Sequence, residues 1–146
     1  MPTPPTEHPH AVVIREFFDA FGAADAARLR AITTDDLVWH FPGTSPIAGD
    51  WRGVDGLLHG IRVVAVTLGA GQHGFELQEV FANDRAAMSM HRDFFTGAGN
   101  HLDLRYAIYY RFVGGKIAEA WEIPFDLAEN DRYYGIQAKV LAKSRL

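Results

Sequence analysis

The sequence predicts an α+β domain, with helices gathered at the front and a curved antiparallel sheet packing around them on one face. Three observations carry that reading. Apolar residues recur at helical spacing in the first half of the chain, and from Phe75 onward the apolar period switches from 3.6 to 2. The alternating runs are joined only by Asn83-Asp84, Gly97-Ala98-Gly99 and Gly114-Gly115. Connections that short join antiparallel neighbours, because a parallel pair needs a crossover of a dozen or more residues.

The opening MPTPPTEHPH is rich in proline and lacks the basic start and apolar core of a signal peptide. Residues 1–9 are therefore expected to be a disordered, proline-stiffened arm. Ile14, Phe17, Phe18 and Phe21 fall at i, i+3, i+4 and i+7 with charged residues between them, which predicts an amphipathic helix from His10 to Phe21, closed by Gly22. Asp25 suits the N-cap of a short helix ending at Ile32, and Thr33-Thr34-Asp35-Asp36 reads as a turn. Leu37 to Phe41 reads as a short strand, after which Pro42-Gly43, Ser45-Pro46, Gly49 and Gly53 predict a structured loop. Leu57, Ile61, Val64 and Leu68 repeat at helical spacing, giving a third helix despite the weakening Gly56 and Gly60. Phe75 to Ala82, Arg85 to Phe95, His101 to Phe112 and Lys116 to Ile123 then form a four-stranded meander. The domain is expected to span 10–134, with 135–146 a terminal helix or a tail.

Composition narrows the chemistry. A chain of 146 residues is one domain's worth, long enough to bury a sizeable core. Without cysteine there are no disulfides, thiolate nucleophiles or thiolate-held metal clusters. A net charge of -4 with no basic run disfavours a nucleic-acid partner, and no apolar stretch is long enough to span a membrane. The protein is expected to be soluble and cytoplasmic. HExxH, GxxxxGK[ST], GxGxxG and GxSxG are all absent, and His40, His91 and His101 lack tight ligand spacing, so no metal or other cofactor is expected.

The strand His101 to Phe112 has one apolar face (Leu102, Leu104, Tyr106, Ile108, Tyr110, Phe112) and one mixed face (His101, Asp103, Arg105, Ala107, Tyr109, Arg111). It lies between two environments, a core or dimer contact on one side and a polar cavity or solvent on the other. Periodicity does not say which is which, and Asp103, Arg105 and Arg111 also suit ordinary surface pairs. On neighbouring strands Ala87, Ser89, His91 and Asp93 share a face, as do Ala120, Glu122 and Pro124. Glu122 sits among apolar residues, where desolvation would raise its pKa toward the range of a general acid or base. His40, beside Trp39 and Phe41, is a further candidate.

The order of elements, with Phe21-Gly22-Ala23-Ala24-Asp25, Val38-Trp39-His40-Phe41-Pro42-Gly43, Pro46-Ile47-Ala48-Gly49, Trp51-Arg52-Gly53, Met90-His91-Arg92, Leu102-Asp103, and Gly115 to Glu122 followed by Asp126, resembles the SnoaL-like polyketide cyclases. These belong to the nuclear-transport-factor-2-like superfamily, with ketosteroid isomerases and limonene epoxide hydrolases. The resemblance covers roughly Pro9 to Tyr134. It implies a cystatin-like α+β roll with a conical apolar pocket, often in a homodimer. It also places His40 at the isomerases' proton-shuttling aspartate, but Phe17 and Ala107 at their two oxyanion donors. Losing both donors argues against steroid isomerisation. Glu122 falls where the hydrolases and cyclases have a catalytic aspartate, and His91-Arg92-Asp93 matches the hydrolases' Arg-x-Asp pair with His91 in place of arginine.

Together these readings predict a cofactor-independent enzyme for cyclisation, isomerisation or epoxide hydrolysis of a mostly apolar, oxygenated metabolite of polyketide, terpenoid or steroid-like kind. Glu122 would be the principal acid or base, His40 and His91 its proton partners, and Asp93 an orienting group. Phe17, Phe21, Val38, Trp51, Tyr109 and Trp121 would form the pocket wall. The alternative is a non-catalytic ligand-binding or dimerisation module using the same cavity.

Overall fold

The computed structural model describes residues 6–68, 72–97 and 99–144, with four helices and a six-stranded, curved, unclosed sheet. The elements are α1 (Pro9–Gly22), α2 (Ala26–Ile32), β1 (Thr33–Phe41), β2 (Gly49–Arg52), α3 (Gly53–Leu68), β3 (Gln72–Ala82), β4 (Ala87–Gly97), β5 (Asn100–Val113), β6 (Lys116–Pro124) and α4 (Leu127–Ser144). The expected meander β3-β4-β5-β6 is present, every pair antiparallel.

The helix starts follow from local chemistry. Pro9 occupies the first turn of α1, where its missing N–H costs nothing, and the His8 ring accepts from the His10 N–H. Asp25 caps α2 through Oδ1, which accepts from the Arg28 N–H at 3.1 Å. Residues 1–5 of the expected arm lie outside the described residues, but Glu7 and His8 are tied down by Arg15 and Asp84.

Two expectations are corrected and one open choice is decided. Residues 33–36 are the start of β1 rather than a turn, and Gly49–Arg52 is a strand inside the expected loop, pairing antiparallel with β1. Of the two alternatives for the end of the chain, the structure has the helix, α4 up to Ser144. Each is decided by partners distant in sequence. β1 joins the meander by running parallel to β6, with Trp39 beside Ala120 and His40 beside Trp121. The sheet order is thus β2-β1-β6-β5-β4-β3. α4 is held by Arg132, which donates to His101 O and Asn100 Oδ1, and by Asp131, which accepts from Thr44.

The apolar face of β5 points inward, and Leu102, Leu104, Tyr106, Ile108 and Tyr110 are all buried. One core cluster joins α1, α2 and the start of α3 to β1, β5 and β6 around Ile14, Leu29, Leu37 and Ile117; a second joins Phe95, Leu102 and Tyr106 to Tyr133 and Tyr134 of α4. The other face of β5 carries surface pairs: Arg92 grips Asp103 bidentately, and Arg111 donates to Glu119. Gly60 has a packing reason to be glycine, since a Cβ there would lie 2.3 Å from the Trp51 ring. That close approach lets the indole lie along α3 and stack on Phe41 at 4.8 Å.

Candidate active site

A cavity of about 60 Å³ lies between the inner face of the sheet and helices α1, α3 and α4. Its walls are aromatic, with Phe17, Phe18 and Phe21 from α1, Trp39 and Phe41 from β1, and Tyr134 from α4. Three ionisable side chains converge there. His91 and Asp93 are successive inward residues of β4, and Glu122 is the inward residue of β6 paired with Ile108 of β5. His91 Nε2 stands 3.2 Å from Asp93 Oδ1 and 3.6 Å from Glu122 Oε1. The side chains are only 3%, 4% and 12% exposed.

Trp39 Nε1–H donates to Glu122 Oε2 at 3.2 Å, which leaves Oε1 turned to His91. The His91 ring stacks on Tyr106, whose hydroxyl donates to the buried Asn130 of α4 at 2.7 Å, so the imidazole plane is set through two layers. His91 Nδ1 and Asp93 Oδ1 are buried with no hydrogen-bond partner. Unpartnered polar atoms in an apolar setting are costly and mark a site where strain or a ligand is involved.

Burial pushes the Glu122 carboxyl up to about 7; the positive charge His91 carries when protonated and the Trp39 N–H pull it down, while the charge of Asp93 adds to the rise. Burial also raises Asp93, against the opposing pull of the adjacent His91. His91 is lowered by burial, but Asp93 and Glu122 more than offset that and hold it above its ordinary value. Glu122 is therefore poised near neutrality, and its titration is coupled to those of His91 and Asp93. They are also three metal-capable donors with ligand atoms within 4.8 Å of one another. A larger, open cleft of about 390 Å³ beside Arg30, Asp35 and Asp55 holds an exposed Arg30–Asp55 pair and none of these buried groups.

Of the ten side chains singled out from sequence, six reach the cavity and four do not. Phe17, Phe21, Trp51, His91, Asp93 and Glu122 line the cavity. His40, Val38, Tyr109 and Trp121 are corrected to the outer face of the sheet, because each is one residue out of phase with the inward Trp39, Ile108 or Glu122. His40 there bridges Asp50 at 2.8 Å and Glu119 at 2.6 Å and stacks on Trp121. Those two carboxylates raise its pKa, the Glu119 hydrogen bond most. Trp39 and Tyr134 went unremarked as site residues, although Leu37-Trp39-Phe41 is itself an alternating apolar face and Asn130, Tyr133 and Tyr134 share a helical face.

Residues 14–120 match the SnoaL-like domain family, and the chain belongs to it. The uncharacterized protein Rv0034 of Mycobacterium tuberculosis is 29% identical over 123 residues, covering 84% of this chain and 93% of that protein. Bal32a, from a soil-derived mobile gene cassette, superposes with a TM-score of 0.78 at 25% identity, covering 86% of this chain and 96% of Bal32a. An LEH-like epoxide hydrolase from M. tuberculosis shares the fold, with a TM-score of 0.63, 15% identity, and coverage of 93% and 96%. The fold is thus SnoaL-like and nuclear-transport-factor-2-like, and it is shared by that epoxide hydrolase and by a putative SnoaL-like polyketide cyclase from Jannaschia. Among the described residues no helix is long and apolar enough to cross a membrane.

Proposed function

We propose that this protein is an enzyme that moves protons, without a cofactor, on a compact, mostly apolar, oxygenated small molecule, by cyclisation, isomerisation or epoxide hydrolysis. The observation that carries the reading is the Glu122 carboxyl, buried in an aromatic cavity with its pKa raised to about 7 and Oε1 facing His91. A carboxyl poised near the working pH takes or gives a proton at little cost. Glu122 acts as the acid or base, His91 relays its proton, and Asp93 balances the charge and orients the imidazole. For epoxide opening, one protonated member of the cluster delivers a proton to the ring oxygen, while an ionised member accepts a proton from the attacking water.

The small cavity, narrowed by its own aromatic rings, favours the second reading of a non-catalytic binding module. Turnover of a panel of small terpenoid epoxides and cyclisable ketones separates the two. Glu122→Gln is expected to lower kcat by about 100-fold or more with the fold intact; turnover surviving in that variant removes the acid-base reading.

The protein is also proposed to pair with a second copy through the outer sheet face. There Met88, Tyr109 and Ile123 are exposed, and the register sets Met88 beside Tyr109 and Tyr109 beside Trp121. Light scattering that returns the mass of one chain at all concentrations would exclude this.

A further inference from the structure

We propose that Tyr134 is the hydrogen-bond donor to an oxygen atom of the ligand, so that the site selects a carbonyl or epoxide carried on a compact apolar frame. The assignment deepens the acid-base reading and takes its reaction from it, but the binding geometry stands independently. Tyr134 is buried and lines the same cavity as His91, Asp93 and Glu122. Its ring is held edge-on by Phe41 at 5.0 Å and by Tyr133 at 4.9 Å.

The donor inventory of the cavity singles it out. Trp39 Nε1–H is committed to Glu122 and Trp51 Nε1–H to the Ile47 carbonyl. Behind the wall, the Tyr106 hydroxyl is committed to Asn130, and the Tyr110 hydroxyl pairs with Ser89. The Tyr134 hydroxyl has no hydrogen-bond partner among the described residues. Carboxylate oxygens of Asp93 and Glu122 supply acceptors, so outside the acid-base cluster, whose His91 Nδ1 is itself unpartnered, the Tyr134 hydroxyl is the uncommitted donor among the described lining residues.

Burial and the nearby charges, including Asp93 and Glu122, oppose ionisation of this phenol and keep it a donor. A neutral O–H lining an aromatic cavity stabilises an oxygen that gains negative charge as the cluster moves a proton elsewhere on the ligand. The phenol proton stays on Tyr134, and no bond to it is broken.

Infrared spectroscopy of carbonyl-labelled cyclopentanone bound to the purified protein tests this directly. At about pH 9 the Glu122 carboxyl is ionised while the Tyr134 phenol is not. The carbonyl band is expected at lower wavenumber than in hydrocarbon. In Tyr134→Phe it returns to the hydrocarbon position, with binding about fivefold weaker. Phenylalanine keeps both ring contacts and removes a hydroxyl without a protein partner, so the melting temperature is expected to hold.

An unchanged band in Tyr134→Phe, or no bound ketone in the wild type, overturns the assignment. So does a wild-type band that moves to the hydrocarbon position as Glu122 ionises, a result that needs no variant. A Tyr134-dependent band alongside full turnover in Glu122→Gln would leave this assignment standing and remove the acid-base reading.

Discussion

The orientation of Glu122 comes down to one indole. Trp39 is almost fully buried, stacked on Phe17 at 4.8 Å with Tyr110 at its edge, so its N–H has little freedom except to point at Glu122 Oε2. A hydrogen bond to a carboxylate favours the charged form, and Trp39 therefore restrains the rise that burial imposes on Glu122. Trp39→Phe keeps an aromatic ring and deletes the donor. Its Glu122 carboxyl is expected to titrate about one pH unit higher than the wild type. Carbon-13 NMR of the carboxyl reads this without a substrate, and an unchanged or lower titration would mean that the indole does not hold the carboxylate.

At the scale of the element, a one-residue offset separates chemistry from surface. On β1, Leu37, Trp39 and Phe41 face the core, while Val38 and His40 face out. His40 looks like a catalytic histidine by its neighbours in sequence, but its two ring nitrogens are taken up by Asp50 and Glu119 across the adjoining strands. His40→Gln is accordingly expected to leave kcat unchanged within about twofold while His91→Gln lowers it by about 100-fold or more. Parallel assays of the two variants on any turned-over substrate check this, and equal losses would return His40 to the mechanism. α4 shows the opposite case, an element with weak signal in sequence that brings Asn130 under Tyr106 and Tyr134 into the cavity wall.

For the whole molecule, the buried cluster gives stability a pH dependence with one sign. Asp93 and Glu122 have raised pKa values in the fold, so each binds its proton more tightly there than in the unfolded chain, and stability falls as pH rises from the unfolded value toward the folded one. His91 and His40 are also raised, and their contribution, full below about 6.5, is lost as pH rises through their folded values. The surface carboxylates with lowered values, such as Asp103 and Glu119, act in the other direction only in more acidic solution. The melting temperature is therefore expected to fall between about pH 5 and pH 8, and Glu122→Gln to flatten the part below about pH 7. A wild-type melting temperature that rises across this window would contradict the buried, coupled arrangement.

Much of this was legible in the chain. Helical spacing in the first half, the switch to alternation at Phe75 and the short connections were enough for the fold class and the meander, because both periods are local properties of the backbone. Alternation also put His91 with Asp93, and Leu37 with Trp39 and Phe41, on common faces. What alternation leaves open is which face is covered, since inward and outward are defined by distant partners. The parallel pairing of β1 with β6, the docking of α4 and the resulting size of the cavity rest on contacts between residues far apart in the chain, such as Trp39 with Glu122, 83 positions apart, and Thr44 with Asp131, 87 apart. Tertiary packing alone therefore excluded His40, Val38, Tyr109 and Trp121 from the cavity and admitted Trp39 and Tyr134.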